Sequence, residues 1–143
     1  MNSHETANIS ECRILTLPHH PHEMGTLTVA QNSDGLPFAI KRIFYIYDIP
    51  ADSERGGHSH HVEQQLIIAV GGCFDVRVSD GRNERIFTLR RPYEGLYIPA
   101  GIWRSLHNFS SGSVCLTLSS TKFNENDYVR HYDDFLKLKH VVE

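Results

Sequence analysis

Two histidines one residue apart, His58 and His60, are the side chains of this sequence best placed to do chemistry. They stand in the run Arg55-Gly56-Gly57-His58-Ser59-His60-His61-Val62-Glu63-Gln64-Gln65, which leads from a glycine-rich turn into an apolar strand. In an extended segment side chains alternate between faces with a period of two, so both imidazoles project to one side and converge on one site. Such a pair suits two chemistries. Neutral ring nitrogens can ligate a metal, and an unperturbed pKa of about 6.5 lets the same rings take up and return a proton near neutrality. Tyr45 and Tyr47, also two apart, share a face of the preceding strand. The run His19-His20-Pro21-His22 has no acidic or cysteine partner at ligand spacing and reads as a solvated loop.

The elements that must position these residues are short and β-rich. The expected strands are Cys12 to Leu17, Gly25 to Ala30, Ala39 to Ile49, Gln64 to Val70, Cys73 to Ser79, Glu84 to Leu89, Gly95 to Ile98, Trp103 to Phe109 and Val114 to Ser119. Asn32-Ser33-Asp34-Gly35, Gly71-Gly72, Asp80-Gly81, Pro99-Ala100-Gly101 and Ser110-Ser111-Gly112 supply turn chemistry between them. Tyr128, Tyr132, Phe135, Leu136 and Leu138 then mark one or two short helices within about 125–139. This pattern is all-β, a sandwich or barrel, and 143 residues make one domain of it, 1–143.

A formal charge of -3 and a pI near 6.3 argue against a nucleic-acid partner. No apolar run approaches the roughly 18 residues of a membrane span, and Met1 to Glu11 lacks the apolar core of an export signal. A cytoplasmic setting is expected, with Cys12, Cys73 and Cys115 reduced.

The histidine spacing resembles the first motif of the cupin superfamily, in which His-x-His, three residues, Glu, six residues, Gly supplies metal ligands from a small β-barrel. Here Gln64 stands at the Glu position and Gly71 closes the motif. Pro99-Ala100-Gly101, Arg104 and Asn108 resemble the second motif, with arginine where the fourth ligand, a histidine, belongs. A permanently cationic guanidinium repels a metal dication, so the reading is a cupin that has lost its metal. The fold expected is thus a double-stranded β-helix, or jelly-roll barrel, with short C-terminal helices.

A more specific resemblance covers Ile40 to Leu138. The runs Lys41-Arg42-Ile43-Phe44-Tyr45, Arg55 to His60, Phe87 to Pro99, Ile102-Trp103-Arg104, Asn108 to Ser113 and Asp127-Tyr128-Val129-Arg130, followed by Tyr132 to Leu136, look like the cupin-type nucleotide-sugar 3,4-ketoisomerases. The resemblance implies an isomerase that moves the keto group of dTDP-4-keto-6-deoxy-glucose from C4 to C3 through an enediolate. It implies a place in deoxy- and amino-sugar biosynthesis, such as for O-antigen or S-layer glycans. It also implies a strand-exchanged homodimer that needs no metal or other cofactor.

On that reading His58 is the base and His60 its partner, while Arg104 supports the enediolate oxygen. Tyr45 or Tyr47 donates to sugar oxygens or relays a proton. Arg42 and Arg55 bind the diphosphate, and Gln64 and Asn108 line the substrate pocket. Glu63 is expected to be exposed, and Trp103 to lie in the core or an interface. His61, where the family commonly has Lys or Arg, and Gln65, where it has Phe, leave the C4 configuration of the product open. The competing readings are a non-catalytic sugar-binding cupin and a metal-dependent one that recruits His61 or His107.

Overall fold

Alternation of apolar and polar residues along short strands, broken by glycine and proline turns, closes the chain into two facing antiparallel sheets. The computed structural model describes residues 3–32 and 35–140. Ser33 and Asp34 of the expected turn at 32–35 lie outside the described residues.

The first sheet joins β1 (Arg13–Thr16), β9 (Glu94–Ile98), β6 (Gln65–Gly71), β11 (Val114–Ser119) and β4 (Arg42–Ile46) in that order. The second joins β12 (Tyr128–Val129), β5 (Arg55–His60), β10 (Trp103–His107), β7 (Phe74–Ser79) and β8 (Glu84–Leu89). A small hairpin, β2 (His19–His20) with β3 (Leu27–Thr28), stands apart. Ile67, Ala69, Leu96 and Ile98 from one sheet meet Phe74, Val76, Val78 and Leu106 from the other in a buried core. This is the jelly-roll barrel of a cupin. No helix among the described residues is long and apolar enough to cross a membrane.

Two expectations change in detail. The glycine-rich approach to His58 is itself strand β5, because the ring of Trp103 packs over Gly57, where a Cβ would sit 3.1 Å from the indole. The C-terminal segment delivers a single turn at Glu125–Asp127, then β12, and only then a helix, α2 (Tyr132–Leu138). Phe135 of α2 is buried and lies 5.6 Å from Trp103, so this tryptophan anchors the helix to the barrel wall. A short helical turn, α1 (Ser3–Thr6), packs beside α2. Cys12 and Cys115 are buried, Cys73 half-buried, and none forms a disulfide.

Candidate active site

Strand register brings the polar side chains together. Arg104 of β10 lies directly opposite His58 of β5, and Tyr128 of β12 opposite His60. Partners across an antiparallel pair share a face, so all four project inward, and His58, Arg104 and Tyr128 reach a cavity of about 220 Å³. His58, Gln65, Arg104 and Tyr128 line it, with Phe44, Ile46, Ile67 and Leu106 as its apolar walls and Arg55 and Arg130 among its lining residues. His60 is fully buried, with its ring centroid 4.9 Å from that of His58 and 4.4 Å from that of Tyr128.

Both imidazoles have their tautomer set by an acceptor. His58 Nδ1 donates to the carbonyl of Gly56 at 2.6 Å, which leaves Nε2 with its lone pair. His60 Nδ1 faces the Asp127 carboxylate at 3.2 Å, so its Nε2 is likewise unprotonated and accepts from the Gln65 amide Nε2 at 3.5 Å. Burial, and next the positive charge of Arg104, depress the pKa of both rings, that of His58 to about 3 and that of His60 further. Both are therefore neutral bases at physiological pH.

Arg104 is 1% exposed and forms no hydrogen bond or ion pair with a carboxylate among the described residues. Its Nε and Nη2 donate to the Ile102 carbonyl, and Nη1 donates to Gln65 Oε1 at 2.8 Å. Burial lowers its pKa to about 10, which leaves it cationic at neutral pH. A buried cation met only by neutral oxygens attracts an anion into the cavity.

Several expected site residues stand elsewhere. Gln64 turns to the other face of the wall and accepts a hydrogen bond from Tyr97. The cavity position belongs to Gln65, because the bend after His60 shifts the phase of β6 by one residue. Tyr45 and Tyr47 are 60% and 61% exposed, since Phe44 and Ile46 take the inward positions of β4. Asn108, in a left-handed conformation with φ 55°, donates to Asp75 outside the cavity. It lines instead an outer groove with Asp52, Glu54 and Asp75. Arg42 is committed to Glu63, whose two carboxylate oxygens its Nη2 meets at 3.0 and 2.9 Å. Glu63 itself is 1% exposed, because Arg42, Gln65 and Thr121 capture it in the wall. Arg55 is among the residues that line the cavity.

The residues missed singly were Asp127, Tyr128 and Arg130. Their signal is the run Asp127-Tyr128-Val129-Arg130 itself, which carries the family resemblance but no spacing that ties it to the histidines. Asp127 also accepts the backbone N–H of Val62 and of Glu63, which fixes the carboxylate facing His60. Arg130 forks onto Glu125 and lies 4.1 Å over the Tyr128 ring.

The donor set does not fit a metal. Two of the four cupin ligand places hold a neutral amide and a guanidinium that hydrogen-bond each other. His60, Glu63 and Asp127 have ligand atoms within 4.8 Å of one another. Both carboxylates, however, are already taken up by Arg42, Gln65, Thr121 and backbone N–H groups.

Fold and cavity together define a cupin barrel in which two neutral imidazoles stand beside a buried guanidinium. The family model FdtA, described as WxcM-like, C-terminal, matches residues 10–140, and the chain belongs to that family. It is 36% identical over 113 residues to the TDP-4-oxo-6-deoxy-alpha-D-glucose-3,4-oxoisomerase of Aneurinibacillus thermoaerophilus, covering 79% of this chain and 81% of that one. A 3,4-ketoisomerase from Helicobacter canadensis superposes with a TM-score of 0.87 at 39% identity, over 91% of this chain and 98% of that one. The sugar 3,4-ketoisomerase of Thermoanaerobacterium thermosaccharolyticum, solved with TDP, superposes with a TM-score of 0.90 at 32% identity, over 93% and 97%.

Proposed function

We propose that this chain moves the keto group of a dTDP-4-keto-6-deoxy-hexose from C4 to C3, as its relatives' names describe for them. The observation that carries the residue assignment is the pairing of two neutral imidazoles, each with an unprotonated Nε2, beside a buried guanidinium that hydrogen-bonds neutral oxygens. His58 Nε2, on the cavity side, takes the C3 proton. Arg104 holds the enediolate oxygens, where a preorganised charge in a water-poor cavity is worth far more than in solvent. The proton returns to C4, and His60, held by Asp127, shuttles protons between the two oxygens. Tyr128 covers both rings, and Arg55 and Arg130 take the diphosphate. No step calls for a metal or other cofactor. A sugar-binding module would have no use for two tautomer-fixed bases.

The enzyme is proposed to act in the cytoplasm, where three unpaired thiols are at home, and to serve deoxy-sugar assembly for surface glycans. It is further proposed to work as a homodimer with exchanged strands. Supporting this, β4 is a sheet edge whose outer face exposes Ile43 and Tyr45. The outlying β2–β3 hairpin exposes Leu27, with Met24 at its tip, and is available to cross to a partner. Light scattering that returned a monomer at working concentration would overturn the dimer.

Proton NMR of dTDP-4-keto-6-deoxy-glucose with metal-stripped protein in deuterated water tests the reaction. Exchange at C3 with a growing 3-keto species is expected. Bound substrate without exchange would return the cavity to a binding role.

A further inference from the structure

The reverse face of β5 carries an imidazole that the reaction does not use. His58 points into the cavity and His60 lies behind it on the same face of β5, so Ser59 between them points out through the barrel wall. There its hydroxyl meets Nε2 of His4 at 2.5 Å, and His4 is fully buried. The ring packs edge-on against His61 and Phe135, with centroids 5.0 and 5.8 Å away. Its Nδ1 is buried without a hydrogen-bond partner among the described residues.

The segment that carries His4 is clamped to the barrel. Ala7 N–H closes a turn onto the Ser3 carbonyl, Lys139 Nζ donates to the Ala7 carbonyl at 2.6 Å, and Ile9 N–H donates to Asp80. The Ser3 carbonyl presses on Gly101, where a Cβ would lie 2.5 Å from that oxygen and φ is +83°. Gly101 N–H in turn donates to the backbone carbonyl of His60 at 2.8 Å. Two routes thus lead from this segment to the histidine strand, one through the Ser59 side chain and one through Gly101. Ser3, His4 and Ala7 all precede the residues that the family model matches.

Packing alone does not account for the histidine. A leucine would fill the space against Phe135 without burying a ring nitrogen unsatisfied, which costs stability. We infer that His4 is a positioning residue for the ketoisomerase reaction, fixing through Ser59 the stretch of β5 that carries His58 and His60. Displacements of about 1 Å made far from the reacting atoms can cost about a hundredfold in rate.

The inference rests on the ketoisomerase reading, and the experiment separates the two. H4L fills the volume and removes the hydrogen bond; H4Q keeps an amide near the Nε2 position. In H4L, kcat is expected to fall about ten- to a hundredfold, with KM for the keto sugar and Kd for TDP within about twofold of wild type. H4Q recovers most of that loss. S59A reproduces H4L, and the double variant H4L/S59A is no slower than either single one, as coupled residues require. Wild-type kcat in H4L overturns the inference, as does a parallel loss of kcat and TDP binding that tracks the folded fraction. Should H4L not fold, S59A carries the same test. Imidazole ¹⁵N spectra of substrate-free protein give a readout apart from turnover: the His60 signals shift or broaden in H4L, and unchanged signals overturn the inference. Absence of turnover in wild type would strike the reaction instead, with the spectra then deciding on His4.

Discussion

Within one barrel interior, the space between the sheets is filled in two opposite ways. Phe74, Val76, Leu89, Leu96 and Ile98 close one part with hydrocarbon, each at most 1% exposed. In the other part β5, β6 and β10 turn His58, Gln65 and Arg104 onto a cavity. Ile67, Leu106 and Cys115 belong to both and mark the border. The packed part contributes stability at about 1.5–3 kcal/mol for each large apolar side chain it buries. The cavity part opposes folding, because it buries a guanidinium whose hydrogen bonds go to neutral oxygens and holds two imidazoles in their neutral form. The contrast teaches that alternation builds the wall while the choice of inward residue divides it between stability and chemistry.

The sharpest way to break this contrast is at the histidine pair. H58N and H60N are each expected to lower kcat by about 10²–10⁴-fold, the usual contribution of a general acid or base, with TDP affinity retained in titration calorimetry. Wild-type turnover in either variant would remove that histidine from the mechanism. Next in size, R104M should cost about 10²–10³ in kcat. In the double variant Q65L/R104M, which replaces the buried amide and cation by hydrocarbon, Tm should rise, because the desolvated charge is no longer carried. A lower Tm in that variant would mean that the cavity contributes stability after all.

The smallest effect is on stability against pH. Burial holds the pKa of His58 at about 3, that of His4 at about 4 and that of His60 well below its ordinary value. The unfolded chain protonates these rings near 6.5 and the folded one does not, so the unfolded state binds more protons below that pH. Their neutral burial therefore leaves stability intact above about pH 6.5 and withdraws it progressively as pH falls toward 3. Calorimetry should show Tm dropping between pH 6.5 and 4, with a shallower slope in H58N. A Tm that rises over that range would contradict the neutral burial of these rings.

Residues close in sequence were legible, and so were residues tied by a spaced motif. His58 and His60 share a face because two-residue periodicity is a local property of extended backbone. Arg104 followed from its place three residues after Gly101. The errors concern which face, and by how much a strand is shifted. Tyr45 and Tyr47 do share a face, but Phe44 and Ile46 hold the inner one. Of two adjacent glutamines, only the bend between β5 and β6 selects Gln65 over Gln64. Glu63 reads as a surface carboxylate until Arg42, 21 residues earlier, reaches it.

By itself the sequence determined the all-β barrel, the imidazole pair on one strand face and the arginine at the position of the fourth cupin ligand, because each follows from residue type and local spacing. Only the tertiary structure decided that Asp127, 67 residues beyond His60, orients that ring. It alone placed Tyr128 over both histidines and His4 behind them. Those contacts arise where β12 and the residue 3–9 segment dock on β5. Docking geometry is set by the packing of whole elements, which no short stretch of sequence contains.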